Sequence, residues 1–205
     1  MKRLLLLALL LWPACLWAAE FGYHPGSAPG TPVLMDGGLG FVNTGDATAA
    51  LRHTAGAGET IDSVYAWVYS DDISTDDINI KVYTLVTADS VDDRVLVATL
   101  NNIGTGPPLV IVGADVNFAM TNGATYVLGI DTANTVSVVC GYDAGGTNDA
   151  ESKATPLPDP YGARGTNQAR KYGIWAVYTT SGGAGAPNTV GGNTTVGGNS
   201  TFGGK

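Results

Sequence analysis

Apolar and polar residues alternate most clearly between Thr60 and Thr87. In Thr60–Tyr69, Ile61, Ser63, Tyr65, Trp67 and Tyr69 share one face of an extended chain, and Val64, Ala66 and Val68 share the other. In Ile78–Thr87, Ile78, Ile80, Val82, Thr84 and Val86 oppose Asn79, Lys81, Tyr83 and Leu85. A period of two in β-branched and aromatic residues predicts half-buried strands. The acidic stretch from Asp71 to Asp77 joins the two runs, which read together as a hairpin.

Shorter strand signals surround this pair. They are Leu39–Val42, Ala47–His53, Arg94–Leu100, a short run near Phe118, Tyr126–Asp131, Val136–Tyr142 and Tyr172–Thr179. Leu109–Val112 is continuously apolar, which predicts a strand covered on both faces. Turn residues recur between them, at Asn43–Asp46, Gly56–Gly58, Asn101–Pro108 and Asn122-Gly123. No helical period stands out. Short strands with regular punctuation predict an all-β fold, an antiparallel sandwich or barrel.

The pattern then resembles a known architecture. Glu59–Tyr69, Ile80–Tyr83 and Phe118–Ile130 resemble the jelly-roll β-sandwich modules of secreted bacterial and phage-associated surface proteins. The last piece carries Asn122-Gly123-Ala124-Thr125-Tyr126 ahead of alternating apolar positions, like the turn before a core strand in such modules. The resemblance runs from about Leu39 to Thr180. It implies a jelly-roll-like sandwich over 39–180 and names no catalytic residue. Such modules serve adhesion, carbohydrate binding and structure alike.

The ends of the chain differ from its middle. Lys2 and Arg3, the apolar run Leu4–Leu11 and Ala18-Ala19 read as a secretory signal peptide over 1–19. The alternative is an uncleaved anchor, for which the apolar run is short. Cys15 leaves with the leader, since Trp12-Pro13-Ala14 is a poor lipoprotein signal. Residues 20–38 are rich in Gly and Pro and read as an extended arm. Residues 181–187 read as a flexible linker. Residues 188–205 repeat every six, with Val190, Val196 and Phe202 each followed by a Gly pair. This resembles the hexapeptide repeat of left-handed β-helices. One rung has no neighbour to bury its face against. The tail is therefore either a low-complexity extension or a segment that orders on pairing with a second copy or partner.

Composition narrows the function classes. The chain holds ten Lys and Arg against eighteen Asp and Glu, a net charge of −8. Removing Lys2 and Arg3 leaves eight cations against the eighteen acids. That balance disfavours nucleic acid and anionic membrane surfaces, and the leader implies a secreted or periplasmic protein with no span after cleavage. Cys140 is then the one cysteine, with no disulfide partner, and reads as a buried thiol. His24 and His53 are the only histidines, so a zinc site is not expected, and no Gly-x-Ser-x-Gly marks a nucleophile. The expectation is a non-enzyme.

Two segments carry candidate chemistry. Asp71, Asp72, Asp76 and Asp77 offer hard oxygen ligands on a turn, a possible Ca²⁺ site, although Asp also favours turns for its own sake. Asp143–Lys171 reads as a long Gly-, Pro- and Asn-rich loop holding Lys153, Arg164, Arg170 and Lys171, half of the eight cations. Tyr161, Arg164, Asn167, Gln168 and Arg170 form the set that a glycan-binding surface requires: an aromatic platform beside amide and guanidinium donors. The alternative for Tyr161 is a pin holding the loop to the sandwich. Trp67 and Trp175 read as core. Three expectations result: a structural or surface-interaction module with the tail used for assembly or docking, a carbohydrate-binding module acting on a glycan or cell-surface component, and, remotely, a hydrolase.

Overall fold

In the computed structural model, which describes residues 18–34, 39–70, 78–87, 90–100, 109–132, 138–154, 157–158, 161–163 and 165–180, the alternating segments build two antiparallel sheets. In chain order the strands are β1 (Ala19–Gly22), β2 (Thr31–Leu34), β3 (Leu39–Asn43), β4 (His53–Thr54), β5 (Glu59–Ser70), β6 (Ile78–Thr87), β7 (Ser90–Leu100) and β8 (Val110–Ala119). They continue as β9 (Thr125–Thr132), β10 (Val138–Ala144), β11 (Ala150–Ala154), β12 (Gly162–Ala163), β13 (Thr166–Gln168), β14 (Arg170–Tyr172) and β15 (Ile174–Thr180). One sheet runs β1-β15-β5-β10-β14, with β8 also on β5 and β2 also on β10. The other runs β12-β7-β6-β9-β3-β11-β13, with β4 also on β9. The fold is a β-sandwich, and the chain crosses between its layers repeatedly.

Facing apolar stripes hold the layers together. Phe21, Ile61, Val64, Ala66, Val68, Cys140, Ile174 and Ala176 come from the first sheet. Phe41, Ile78, Ile80, Val82, Tyr126, Leu128, Ile130 and Ala150 come from the second. Each large apolar side chain buried this way stabilises the fold by about 1.5–3 kcal/mol. Phe41 and Tyr172 stack across the layers at 4.3 Å. Asn43 ties them with two backbone bonds, its Nδ2 donating to Tyr172 O at 2.8 Å and its Oδ1 accepting from Tyr172 N at 2.9 Å.

Several expectations are corrected. β5 and β6 do not form a hairpin. They belong to different sheets, because their apolar faces oppose one another across the core. Ile61 leaves the face it shared with Tyr65: the pairing of β5 shifts register between Ile61 and Ser63, so Ile61 turns inward with Val64. Ala47–His53 is no continuous strand. It holds a short 3₁₀ turn, Ala49–Leu51, and then β4. The Asp149 carboxylate accepts from the N–H groups of Ala47 and Thr48 and bends the chain there. The expected arm supplies β1, paired with β15, and β2, paired with β10, and Phe21 is core. The expected loop over 143–171 supplies β11 to β14.

One segment crosses the outer face of the second sheet. Leu157 and Tyr161 lie over Val42, Tyr83 and Val127 as a second, smaller core. Gly40 is its seat. A Cβ at Gly40 would stand 2.6 Å from Leu157 Cγ, so the strap and the strand approach each other there because no side chain intervenes. The leader, the linker and the repeat tail lie outside the described residues.

Candidate functional site

Of the residues expected to bind a glycan, β13 and β14 carry three, and the Tyr172 hydroxyl joins two of them, Gln168 and Arg170. Asn167 is exposed and pairs with Glu151 of β11. Gln168 Oε1 accepts the Tyr172 hydroxyl. Arg170 lies over the Tyr142 ring at 4.3 Å, and its Nη1 donates to the Tyr172 hydroxyl at 3.4 Å. That hydrogen bond raises the guanidinium pKa above its ordinary value, and burial raises that of the Tyr172 hydroxyl. Lys171 points to the opposite face, over Tyr23 at 4.6 Å. Tyr23 in turn donates to Asp143 at 2.6 Å, and burial together with that bond pushes its pKa up to about 12.

Tyr161 does not join this group. It is 1% exposed beneath the strap, its ring edge-on to Tyr83 at 5.2 Å and covered by Lys153 Nζ at 4.4 Å. A ring buried on a second core cannot serve as a platform, so the expectation of an exposed Tyr161 is corrected and the alternative of a pin holds. Arg164, Asp71, Asp72, Asp76 and Asp77 lie outside the described residues. The Cys140 thiol is fully buried and its pKa is pushed well up by that burial, which suits packing and not nucleophilic attack.

Beneath the strap lies a pair that the sequence pattern concealed. Lys81 and Asp131 are 1% and 0% exposed, with Nζ 2.5 Å from Oδ2. Leu157 O accepts from Nζ at 2.9 Å, and Leu157 N–H donates to Oδ2 at 2.5 Å. By alternation Lys81 falls on the face of β6 opposite the main core, which sequence reading assigns to solvent. The only signal for its burial is the apolar Leu157 far along the chain.

The edge of the first sheet is the other conspicuous feature. β8 pairs with β5 and with no other described strand. Its residues alternate between exposed and half-buried, so the apolar run expected to be covered on both faces is open on one. Val110 is 41% and Ile111 38% exposed. From Asp115 onward the edge is irregular. Its register shifts opposite Ile61–Ser63, and Asn117 takes a φ of +48°. Before that point, Val110–Ala114 offers a regular edge with neither Lys nor Pro, the residues that commonly blunt one. Gly113 lets the Tyr65 ring lie flat on this strand; a Cβ there would stand 2.2 Å from Tyr65 Cδ1.

No protein-family model matches the chain, and no curated protein sequence matches it. Solved structures do resemble it. The cysteine protease and lectin-like domains of a surface-layer-associated protein of Clostridium difficile superpose with a TM-score of 0.48 at 9% identity, over 73% of this chain and 33% of that one. A clostridial cysteine protease after propeptide cleavage gives a TM-score of 0.50 at 10% identity, over 79% of this chain and 40% of that one. A mitogen derived from Yersinia pseudotuberculosis gives 0.31 at 8% identity, over 83% and 92%. The chain thus spans 33% and 40% of the two clostridial chains. At 10% identity the likeness to the clostridial protease chain, the one with a TM-score of 0.50, is one of fold.

Proposed function

We propose that this chain is a non-catalytic, secreted or periplasmic surface-interaction module. It self-assembles by adding the C-terminal repeat of a second copy to the edge of β8. The observation that carries this reading is the open edge at Val110–Ala114, regular, apolar and half-exposed on a strand with one described neighbour. An edge of this kind is a template for strand addition, in which backbone bonds supply affinity and alternate side chains supply specificity. The occupant follows from where the described chain ends. Thr180 pairs with Glu59, and Ala119 pairs with Thr60. Thr180, the last described residue, therefore lies two strand spacings, about 10 Å, from one end of β8. Its Thr-, Val- and Asn-bearing hexapeptides suit an extended partner, and they gain ladder bonds and burial only against another surface.

The experiment is native mass measurement of residues 20–205 beside a chain ending at Thr180 and an Ile111→Lys variant. Association of the long chain alone is expected. A lysine on the exposed face of the edge should abolish it. A monomeric long chain, or association that survives loss of the tail, overturns the reading. Glycan binding has weaker support. Gln168 and Arg170 do meet at the Tyr172 hydroxyl, but Arg170 covers the Tyr142 face that a sugar ring would need, and Tyr161 is buried.

A further inference from the structure

The Lys81–Asp131 pair plays no part in the proposed assembly. It lies on adjacent strands, with Lys81 opposite Gly129 and Asp131 two residues further along β9. A Cβ at Gly129 would stand 3.1 Å from Val42 and 3.2 Å from Leu157 and Tyr83, so the glycine leaves room for the small core around the pair. Taking two full charges out of water is costly unless every remaining hydrogen-bonding position is met. Here one is not. Asp131 Oδ1 is buried and has no hydrogen-bond partner among the described residues. What the strap offers is one acceptor and one donor from a single residue: Leu157 O at 2.9 Å from Nζ, and Leu157 N–H at 2.5 Å from Oδ2. One acceptor and one donor are what a secondary amide needs.

We infer that Lys81 Nζ and Asp131 Cγ condense into an amide, an intramolecular cross-link between β6 and β9. A proton first passes from Nζ to the carboxylate and resides on Oδ1, the oxygen with no other partner, which leaves Oδ2 as the carbonyl oxygen held by the Leu157 N–H. The freed amine lone pair then attacks Cγ, forming the Nζ–Cγ bond and placing negative charge on Oδ2, where the Leu157 N–H stabilises it. A second Nζ proton joins the Oδ1 hydroxyl, the Cγ–Oδ1 bond breaks, and one water departs. No oxidant or further reactant is required. The product keeps both strap bonds, with its N–H on Leu157 O and its carbonyl on Leu157 N–H. It removes both buried charges and the unpaired oxygen. Holding amine and carboxyl in contact makes the step unimolecular, and burial keeps water from reversing it.

Mass spectrometry of the folded chain, digested under denaturing conditions, tests this. The expected result is a branched peptide joining the segments that contain Lys81 and Asp131, lighter than their sum by one water. Trypsin should no longer cut after Lys81. Asp131→Ala should restore two linear peptides of full mass. Wild-type chain recovered in urea without ever having folded should gain the branched peptide with time once it is diluted into folding conditions, which keeps the test independent of how well the variant folds. Two linear peptides from folded wild-type protein overturn the inference. So does a loss of water confined to one linear peptide, which marks a succinimide.

Discussion

Single side chains do much of the joining between loops and layers, and Asp149 is the clearest case. Burial pushes its carboxyl pKa up. The Thr48 hydroxyl and the N–H groups of Gly146, Thr48 and Ala47 outweigh that and hold it below the ordinary carboxylate range. Asp143 is lowered likewise, by the Tyr23 hydroxyl and the Gly30 N–H, and by the Lys171 charge, against opposing burial. A carboxyl whose folded pKa lies below its unfolded one stabilises the fold fully above the unfolded value, about pH 4. That contribution is lost as pH falls through the folded value. Denaturant midpoints should therefore drop on acidification below about pH 4. An Asp149→Asn variant, weaker at neutral pH, should show a flatter dependence; an unchanged slope would assign the acid sensitivity to other groups. Asn43 bridges the layers with no charge, so it should contribute nothing to that slope.

Among the elements, the strap is the one that sequence reading could not place. Leu157 is 1% exposed in a segment whose composition reads as loop. Replacing it with Ala should cost about 2–5 kcal/mol, read as a fall in unfolding free energy, because Gly40 and Tyr83 would line a void. A loss under 1 kcal/mol would mean that the strap collapses onto the sheet without it. Long alternation in β5, β6 and β9 was legible because ten or so residues of period two outvote any local turn preference. The paired faces of β6 were legible as far as Val82, yet their partner was misread as β5. Alternation states which way side chains point and not which layer they meet. β1, β2 and β11 to β14 are two to five residues long, too short to show a period, and tertiary pairing imposes them on Gly- and Pro-rich sequence. Asn167, Gln168 and Arg170 were legible as a polar group, whereas the burial of Tyr161 and Lys81 depended on a strap invisible to pattern.

At the scale of the whole molecule, the first described strand pairs with the last. Ala19–Gly22 lies antiparallel to Trp175–Tyr178, and Phe21 enters the core at that seam. A chain ending at Gly173 lacks β15, which leaves β1 without its partner and takes Ile174 and Ala176 from the core. It should show no cooperative melting transition, while a chain ending at Thr180 should melt as sharply as one ending at 205. Scanning calorimetry of the two decides this, and a cooperative transition in the shorter chain would show that β1 and β15 are dispensable. The same seam sets a clock on biosynthesis. β1 leaves the ribosome before every other described strand, and the residues that receive it are made some 150 positions later, as the Ala19–Tyr178 pairing records. Every nascent length before that holds Phe21 without a home and β5 with a bare flank. Chain elongation therefore delivers an open sheet, available to chaperones, and closure waits for β15 to be made.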